Sequence, residues 1–310
     1  MRLISIVTPC YNEEENIREI YKQVKQVFDV LEGYTYEHVF IDNASKDKTV
    51  AILREIVKDD KRVKVIVNTR NFGHIRSPYH AMLQTKGDAV ISIVADLQDP
   101  PYLIKEFIRK WEEGYKVVMG IKKKSEESRI IFGLRKLYYR VLRRLSDVEL
   151  VEQYTGFGLY DRQVVETLRG LNDPYPYLRG LIADIGFESA KIEYAQPIRK
   201  RGITKNNFYT LFDMAMLGMA SYSKVPLRLA TMLGFVLAVI SLLVAIFYFV
   251  YKIIFWESFS LGMAPLVVGV FFLASVQLFF IGIVGEYVGF IYTQVLKRPL
   301  VIEQERINFE

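Results

Sequence analysis

The stretch ISIVADLQDPP, residues 91–101, carries an apolar strand directly into a cluster of polar side chains. Residues 91–94 form the apolar run typical of a buried strand, and the closing prolines suit the first turn of a helix. Between them lie Asp96, Gln98 and Asp99, whose carboxylate and amide oxygens are the ligands that Mg²⁺ or Mn²⁺ prefers. The stretch therefore indicates a strand, a cation-binding turn and a helix, in that order. The alternative is an Asp-Pro turn whose acids are solvated.

Strand and helix patterns alternate along the first 120 residues or so. The predicted strands are 3–8, 36–41, 63–67, 89–94 and 117–121, and the predicted helices are 14–31, 48–57 and 101–113. Repeated βα units predict an α/β fold with a mostly parallel sheet and helices on both faces. In such sheets the ligand binds beyond the carboxyl ends of the strands.

Polar segments follow four of these strands, namely TPCYNEEEN, DNASKDKT, NTRNFGH and ADLQDPP. Asp42 ends the second strand and is a candidate ligand contact, whereas Asp47 suits the capping of the next helix. Neither a GxGxxG nor a P-loop motif is present, which excludes the familiar dinucleotide and P-loop sites. The three scattered histidines and single cysteine argue against zinc, and no GxSxG motif indicates a hydrolase.

The last third of the 310-residue chain contains two long uncharged runs, 229–251 and 258–285. Each exceeds the ~20 residues that a helix needs to cross a bilayer. We expect a transmembrane hairpin, and the alternative is a pair of buried core helices. Lysines and arginines precede the first run and follow the second, which predicts a multi-pass protein of the cell (inner) membrane with both termini cytoplasmic. The N-terminus lacks the pattern of a signal peptide.

The net charge and the cysteine content indicate which cellular compartment and which binding partners suit this chain. The formal net charge is +6 and Cys10 is the single cysteine, which fits a reducing compartment. With an anchor present, membrane lipid is a better partner for this charge than nucleic acid. A basic amphipathic pattern runs from Lys122 to Arg144, and we expect it to lie near anionic headgroups or to bind a phosphate. The alternative is a solvated helix face.

The expected organisation has four parts. Residues 1–200 form a cytosolic catalytic domain and 201–226 a juxtamembrane amphipathic segment. Residues 227–296 form the two-helix transmembrane hairpin, and 297–310 form a cytosolic C-terminal tail.

Several segments together resemble a known family. SIVTPCYNEEENI, IDNASKDKT and ADLQDPP look like the family 2 glycosyltransferases, whose GT-A fold binds a nucleotide-sugar. YTGFGLYDR, PYPYLRGLIADIGF, RKRGITKNNFYTLFD and GEYVGFIYTQVLKRP resemble the polyprenyl-phosphate glycosyltransferases that carry two C-terminal spans, such as the bactoprenol glucosyltransferases and the aminoarabinose-lipid transferases. The dolichyl-phosphate mannose synthases are more distant relatives. The resemblance covers nearly the whole chain.

The resemblance implies roles for individual residues. The nucleotide-sugar is expected to contact Pro9, Tyr11, Glu13, Asp42 and Asp96. A divalent metal, Mg²⁺ or Mn²⁺, is expected on Asp96 and Gln98. The expected catalytic residues are Asp96, Lys122, Arg135, Arg140 and Lys205, of which Lys122, Arg135 and Arg140 meet the lipid phosphate.

The sequence departs from the family pattern at two positions. Many relatives have an acid two residues before Asp96, where this chain has Val94, so Asp99 or water is expected to complete the metal shell. Many also have an acid where this chain has Gly156, so no catalytic base can be placed there. A lipid phosphate acceptor would make the missing acid at Gly156 less important, because its second pKa of about 6 leaves it largely dianionic near neutral pH. It can therefore attack the sugar without a base.

The sequence thus predicts inverting transfer of a hexose from a nucleotide-sugar, with UDP as the expected nucleotide, to a polyprenyl phosphate. A processive polysaccharide synthase is one alternative, although the QxxRW motif is absent and the spans are few. A catalytically silent nucleotide-sugar-binding scaffold is another. Glycines spaced along the second span (Gly262, Gly269, Gly282, Gly285 and Gly289) allow close helix approach, and Glu286 needs a partner there, so we expect a homo-oligomer.

Overall fold

The strand β1 (Arg2–Cys10) lies inside the sheet and fixes the positions of its neighbours. The computed structural model describes residues 1–123, 151, 153–197, 223–255 and 263–309. In it β1 pairs in parallel with β2 (Tyr34–Asp42) along its whole length and with β4 (Ala89–Ser92) on its other side. Ile4 and Ile6 are fully buried, and burial of each such side chain contributes roughly 1.5–3 kcal/mol to folding.

The sheet has eight strands in the order β7-β5-β6-β4-β1-β2-β3-β8. The remaining strands are β3 (Val63–Asn68), β5 (Val117–Lys122), β6 (Tyr154–Asp161), β7 (Ser189–Tyr194) and β8 (Glu303–Ile307). The four adjacent strands β4, β1, β2 and β3 are parallel, as predicted, and so are β5 and β7. Because β6 and β8 run antiparallel to their neighbours, the complete sheet is mixed.

Helices cover both faces of the sheet, which confirms the predicted layers. One face packs against α1 (Ile17–Asp29), α2 (Thr49–Asp59) and α4 (Ile104–Glu112), which follows a 3₁₀ turn at Pro101–Leu103. The other packs against α3 (Gly73–Leu83), α5 (Arg162–Leu171) and α6 (Leu178–Asp184). The helices bury apolar residues at helical spacing, as Ile17, Ile20, Val24 and Val27 show in α1.

The segment predicted as a cytosolic tail contributes a strand to the sheet. The strand β8 pairs antiparallel with β3, so it covers what would otherwise be an open sheet edge. Val301 is buried just before this strand. The side chain of Arg54 holds Glu305 with two hydrogen bonds, and Asn308 Nδ2 donates to the carbonyl of Val63 over 2.8 Å. Residues 296–309 therefore belong to the same compact unit as residues 1–123 and 153–197.

A second compact unit contains α7 (Val225–Ile254) and α8 (Met263–Val295). Both helices are long and apolar enough to cross a membrane, and their candidate spans are Val225–Tyr251 and Gly269–Val295. The second span ends at Val295, ten residues beyond the uncharged run 258–285 and one residue before the end of the predicted hairpin 227–296, because the helix continues past Glu286. Within this unit Tyr287 donates a hydrogen bond of 2.6 Å to the carbonyl of Ser223.

Acid stability depends on a histidine buried in the sheet. His38 lies 2.9 Å from the hydroxyl of Thr8 through Nε2 and stacks on Phe40, while its Nδ1 is buried with no hydrogen-bond partner among the described residues. Burial lowers the pKa of His38 from 6.5 to about 3. In the unfolded chain His38 is therefore protonated below pH 6.5, whereas in the folded chain it stays neutral down to about pH 3. The free energy of unfolding therefore falls as the pH drops through this window.

We expect His38→Gln to weaken this pH dependence. The wild type should lose about 2 kcal/mol through this group between pH 7.5 and pH 5, and the variant should not. Thermal unfolding of the full chain in detergent at several pH values measures the difference between the two proteins. Parallel pH profiles for wild type and variant would contradict the assignment.

Candidate active site

Two loops at the carboxyl edge of the sheet are bound to each other by hydrogen bonds. The backbone N–H of Asn12 donates to Ser45 Oγ and the N–H of Lys46 donates to Asn12 Oδ1, each over 2.8 Å. The N–H of Glu13 donates to Thr49 Oγ1 over 2.9 Å. The segments after β1 and β2, which the sequence analysis singled out separately, therefore form one surface.

Asp42 lies at the base of this surface, beside Cys10 in the strand register. Its side chain is fully buried, and both carboxylate oxygens accept hydrogen bonds from Ser45, one from the backbone N–H over 2.9 Å and one from the hydroxyl. Burial raises the pKa of Asp42, and burial together with the nearby charge of Asp42 raises the pKa of the Cys10 thiol. Contact between Asp42 and a nucleotide base requires the Ser45 hydroxyl to turn away.

The other residues predicted to hold the nucleotide lie at the same edge. Pro9 is the second-last residue of β1, and Tyr11 and Glu13 follow in the loop. All three are partly exposed. Glu13 Oε2 accepts a 2.6 Å hydrogen bond from Asn16 Nδ2 just before α1. The structure thus brings Pro9, Tyr11, Glu13 and Asp42 together at the ends of two adjacent strands.

Asp96 lies in the turn that follows β4, on the other side of β1. Its Oδ1 accepts a hydrogen bond of 3.1 Å from the backbone N–H of Gln98, and the intervening Leu97 has a φ of 60°. A non-glycine residue in the left-handed region is uncommon and occurs often at functional sites. The Asp96 carboxylate remains partly exposed.

These residues fit a divalent cation that also takes ligands from a substrate. Mg²⁺ is usually held by one or two carboxylates together with waters and substrate phosphates. Asp96 and Gln98 offer one carboxylate and one amide oxygen, side by side in the turn. No group of three or more histidine, cysteine or acidic residues in the described part of the chain could hold a metal by itself.

Asp99, one of the two groups expected to complete the metal shell (the other is water), does not face the solvent. Its side chain is buried at 3% exposure, and Oδ1 accepts a 2.7 Å hydrogen bond from the hydroxyl of Tyr194 at the end of β7. Burial raises the pKa of Asp99, and the charge of Lys122 opposes this shift. Asp99 therefore supports the turn from its buried side, and of the two expected groups water is the one that could complete a metal shell.

Lys122 ends β5 and lies beside Tyr194 in the strand register. The charges of Lys122 and Asp96 both act on Asp99. The predicted catalytic residues Asp96 and Lys122 thus both lie near Asp99. Arg135, Arg140 and Lys205 lie outside the described residues.

Gly156 occupies a backbone conformation that disfavours any side chain. Its φ is 100°, and its carbonyl accepts a 2.7 Å hydrogen bond from the buried hydroxyl of Tyr160. An acid at this position would be strained, because residues with a Cβ rarely adopt such a φ. The structure therefore agrees with the sequence in offering no base at this point of β6.

The model of the family described as "Glycosyl transferase family 2" matches residues 5–169, which is more than half of the chain. The chain belongs to glycosyltransferase family 2. Its mixed sheet with helices on both faces is a GT-A-like fold, and the protein is a glycosyltransferase.

Relatives of this glycosyltransferase match it over nearly its whole length. An uncharacterized glycosyltransferase, YkcC of Bacillus subtilis, is 36% identical over 99% of the chain and 94% of its own length. The bactoprenol glucosyl transferase of Shigella phage SfX is 34% identical over 98% of the chain and 99% of its own length. Among solved structures, glucosyl-3-phosphoglycerate synthase from Mycobacterium tuberculosis is similar at 18% identity with a TM-score of 0.48, covering 71% of this chain and 76% of that one.

Sequence reasoning missed two parts of the glycosyltransferase site. Tyr194 supports the Asp96 turn from a strand almost a hundred residues away, and its only sequence signal is the alternating pattern of residues 189–194. The reciprocal bonds of Asn12 with Ser45 and Lys46 were also missed. Their signal is the abundance of small polar residues in both loops.

Removal of the buried Asp99 carboxylate should destabilise the protein. We expect Asp99→Ala to cost about 1–3 kcal/mol, because it leaves the Tyr194 hydroxyl without its acceptor. Asp99→Asn keeps an oxygen for Tyr194 and should cost less. Thermal unfolding of both full-length variants checks this order, and equal stability of the alanine variant and the wild type would contradict it.

Proposed function

We propose that this glycosyltransferase moves a hexose from a nucleotide-sugar, with UDP as the nucleotide, onto a polyprenyl phosphate with inversion at the anomeric carbon. The observation that carries the proposal is the position of the Asp96 turn. This turn follows β4, which lies next to β1, and the paired loops that follow β1 and β2 begin at the same edge of the sheet. This is the crevice at which open α/β sheets bind nucleotides.

The acceptor is proposed from relatives and from charge. Proteins named bactoprenol glucosyl transferase match nearly the full chain, including its two apolar helices. A polyprenyl phosphate has a long apolar tail and an anionic head. An enzyme that acts on it benefits from a membrane anchor and from cations near the catalytic turn, and Lys122 is such a cation.

A divalent cation, Mg²⁺ or Mn²⁺, is proposed at Asp96 and Gln98. When bound, such an ion neutralises negative charge on the diphosphate leaving group. The Asp96 carboxylate contributes the negative protein ligand, and its hydrogen bond from Gln98 fixes its orientation. Lys122 lies close enough to this turn to balance its acidic charges and to orient an anionic acceptor.

The acceptor phosphate is proposed to act without a protein base. Gly156 carries no side chain and cannot accept a proton there. A phosphomonoester with a second pKa of about 6 is already a dianion near neutral pH, so its oxygen can form the new bond to the anomeric carbon as the diphosphate leaves with the electron pair of the old bond. The protein then needs to orient the two groups and stabilise their charge.

The sheet topology supports a membrane hairpin. Strand β8 follows α8 in the chain yet pairs with β3, so the residues before α7 and after α8 that lie in the sheet are on the same side of any membrane. The chain between them must cross an even number of times, which the two apolar helices satisfy. We propose that this side is the cytoplasm and that the sheet and both termini lie there, in line with the distribution of lysine and arginine.

Substitution of Asp96 tests the proposed transfer. With Mg²⁺ or Mn²⁺, a panel of UDP-sugars and polyprenyl phosphate, the purified full-length protein should release UDP. Asp96→Ala should lower turnover by about a hundredfold or more, because interactions at the leaving diphosphate contribute several kcal/mol. Asp59→Ala is the matched control, because Asp59 is an exposed acid at the last residue of α2, the helix end far from the active-site loops.

Two outcomes of this assay count against parts of the proposal. Equal turnover of Asp96→Ala and the wild type would remove Asp96 from the mechanism. Donor binding without transfer to any lipid phosphate would favour the catalytically silent scaffold, an alternative that Val94 and Gly156 suggest by their lack of the acids common in relatives.

The proposed attack by the acceptor phosphate without a protein base predicts a characteristic pH profile. We expect kcat/KM for polyprenyl phosphate to rise with pH through about 6 and then to level off, as the phosphate becomes dianionic. The methyl diester of the same lipid has no second ionisation and should be a poor acceptor. A profile that is flat across this range, or a fully active diester, would show that another group controls the reaction.

A further inference from the structure

Three arginines lie near the carboxyl end of β3. Arg70 lies in the loop after β3, Arg76 lies in the first half of α3, and Arg298 belongs to the segment that leads to β8. The guanidinium groups of Arg70 and Arg76 lie 4.0 and 5.4 Å from the ring centroid of Phe72. Arg76 also donates a hydrogen bond to the carbonyl of Pro299, which joins the loop to the C-terminal segment. We call these three residues the arginine cluster.

Among the residues that the structure describes, no carboxylate balances the charge of the arginine cluster. Within the described ranges none of the three arginines forms an ion pair. The Nε of Arg76 is buried and has no hydrogen-bond partner there. Burial and the charges of Arg70 and Arg298 lower the pKa of Arg76. Like charges held together in this way repel one another, and a bound anion would relieve the repulsion.

The geometry of arginine selects the kind of anion. A guanidinium stacked on an aromatic ring keeps its N–H edge free, and this edge binds phosphate oxygens in a bidentate manner. Arg70 and Arg298 are exposed, so an anion can reach them from solvent or from a membrane surface. The cluster therefore suits a phosphate group.

The chain places this cluster close to the membrane. Arg298 comes three residues after Val295, the last residue of α8, and three residues span at most about 11 Å. Lys297 adds a further exposed cation between them. If α8 crosses a bilayer, Arg298 lies at the depth of the lipid headgroups.

The cluster is separate from the acceptor position proposed above. It lies at β3, whereas Lys122 lies at β5, and β2, β1, β4 and β6 separate these strands. Five strand spacings amount to about 24 Å. One phosphate cannot contact both places, so an anion bound by the cluster would be distinct from an acceptor phosphate at Lys122.

We propose that Arg70, Arg76 and Arg298 bind the phosphate of an anionic phospholipid headgroup and so hold the catalytic sheet against the membrane surface. This inference rests on the membrane anchoring proposed above, but not on the identity of the sugar, the nucleotide or the acceptor. It gives the C-terminal segment a second role besides completing the sheet.

Hydrogen exchange measured by mass spectrometry tests the site without relying on activity. The full-length protein is placed in nanodiscs of phosphatidylcholine alone or with about a third phosphatidylglycerol. A basic residue at such a surface contributes about fivefold to membrane affinity. We therefore expect roughly fivefold slower exchange of residues 69–76 and 296–301 in the anionic discs. Arg70→Gln with Arg298→Gln should abolish this difference.

The matched control removes two cations near the amino ends of the strands, whereas the arginine cluster lies past the carboxyl end of β3. Lys58→Gln with Arg109→Gln changes two exposed residues in the last turns of α2 and α4, and it should leave the lipid effect intact. Equal exchange of the wild type in both kinds of disc, or an unchanged lipid effect in the Arg70/Arg298 variant, would overturn the proposal.

Two further arms identify the source of the phosphate. Protection of the same segments by inorganic phosphate in detergent would show a site for free phosphate and overturn the lipid assignment. Protection in neutral discs by about 1% polyprenyl phosphate alone would assign the cluster to the acceptor instead. If transfer activity is absent while lipid protection is present, the proposed reaction fails and this inference stands.

Discussion

The parallel pairing of β1 with β2, in a register that ends on Cys10 and Asp42, is the constraint on which the candidate site depends. Because both strands end at the same level, the loops that follow them meet and exchange hydrogen bonds between Asn12 and Ser45. A shift of one residue would turn Asp42 to the other face of the sheet. The buried apolar residues of both strands oppose such a shift, so core packing and site geometry are set by the same register.

A second constraint comes from β8, which returns to β3 after the apolar helices. Its bonds close the sheet edge and attach the segment that contains Arg298 to α3 through the carbonyl of Pro299 and Arg76. The sheet is thereby connected to the apolar hairpin at two points in the chain, before α7 and after α8. Two connections restrict the orientations of a tethered domain more than one does, which suits the lipid-bound acceptor proposed for this enzyme.

The sequence predicted the central strands because their apolar runs are long, and it predicted the loops that follow them because polar residues begin where each run stops. It did not predict α3, since Pro78 lies within that helix and proline normally interrupts one. Strand β8 was missed because EQERI is mostly polar, and its stability comes from long-range contacts such as that of Glu305 with Arg54. The inward orientation of Asp99 was missed for the same reason, because its partner Tyr194 is distant in the chain.

The two departures from the family pattern have different physical meanings. At Gly156 the backbone has a φ of 100°, so a side chain is disfavoured by conformation, and the proposed phosphate acceptor, already ionised, would make a base unnecessary. At Val94 the side chain is exposed beside the Asp96 turn, so an acid would fit there, and the protein offers one carboxylate fewer to a cation. If the proposed cation is bound mainly by Asp96 and by donor phosphates, it is held weakly until the donor arrives. Metal and nucleotide-sugar should therefore bind this enzyme cooperatively, each completing the site for the other.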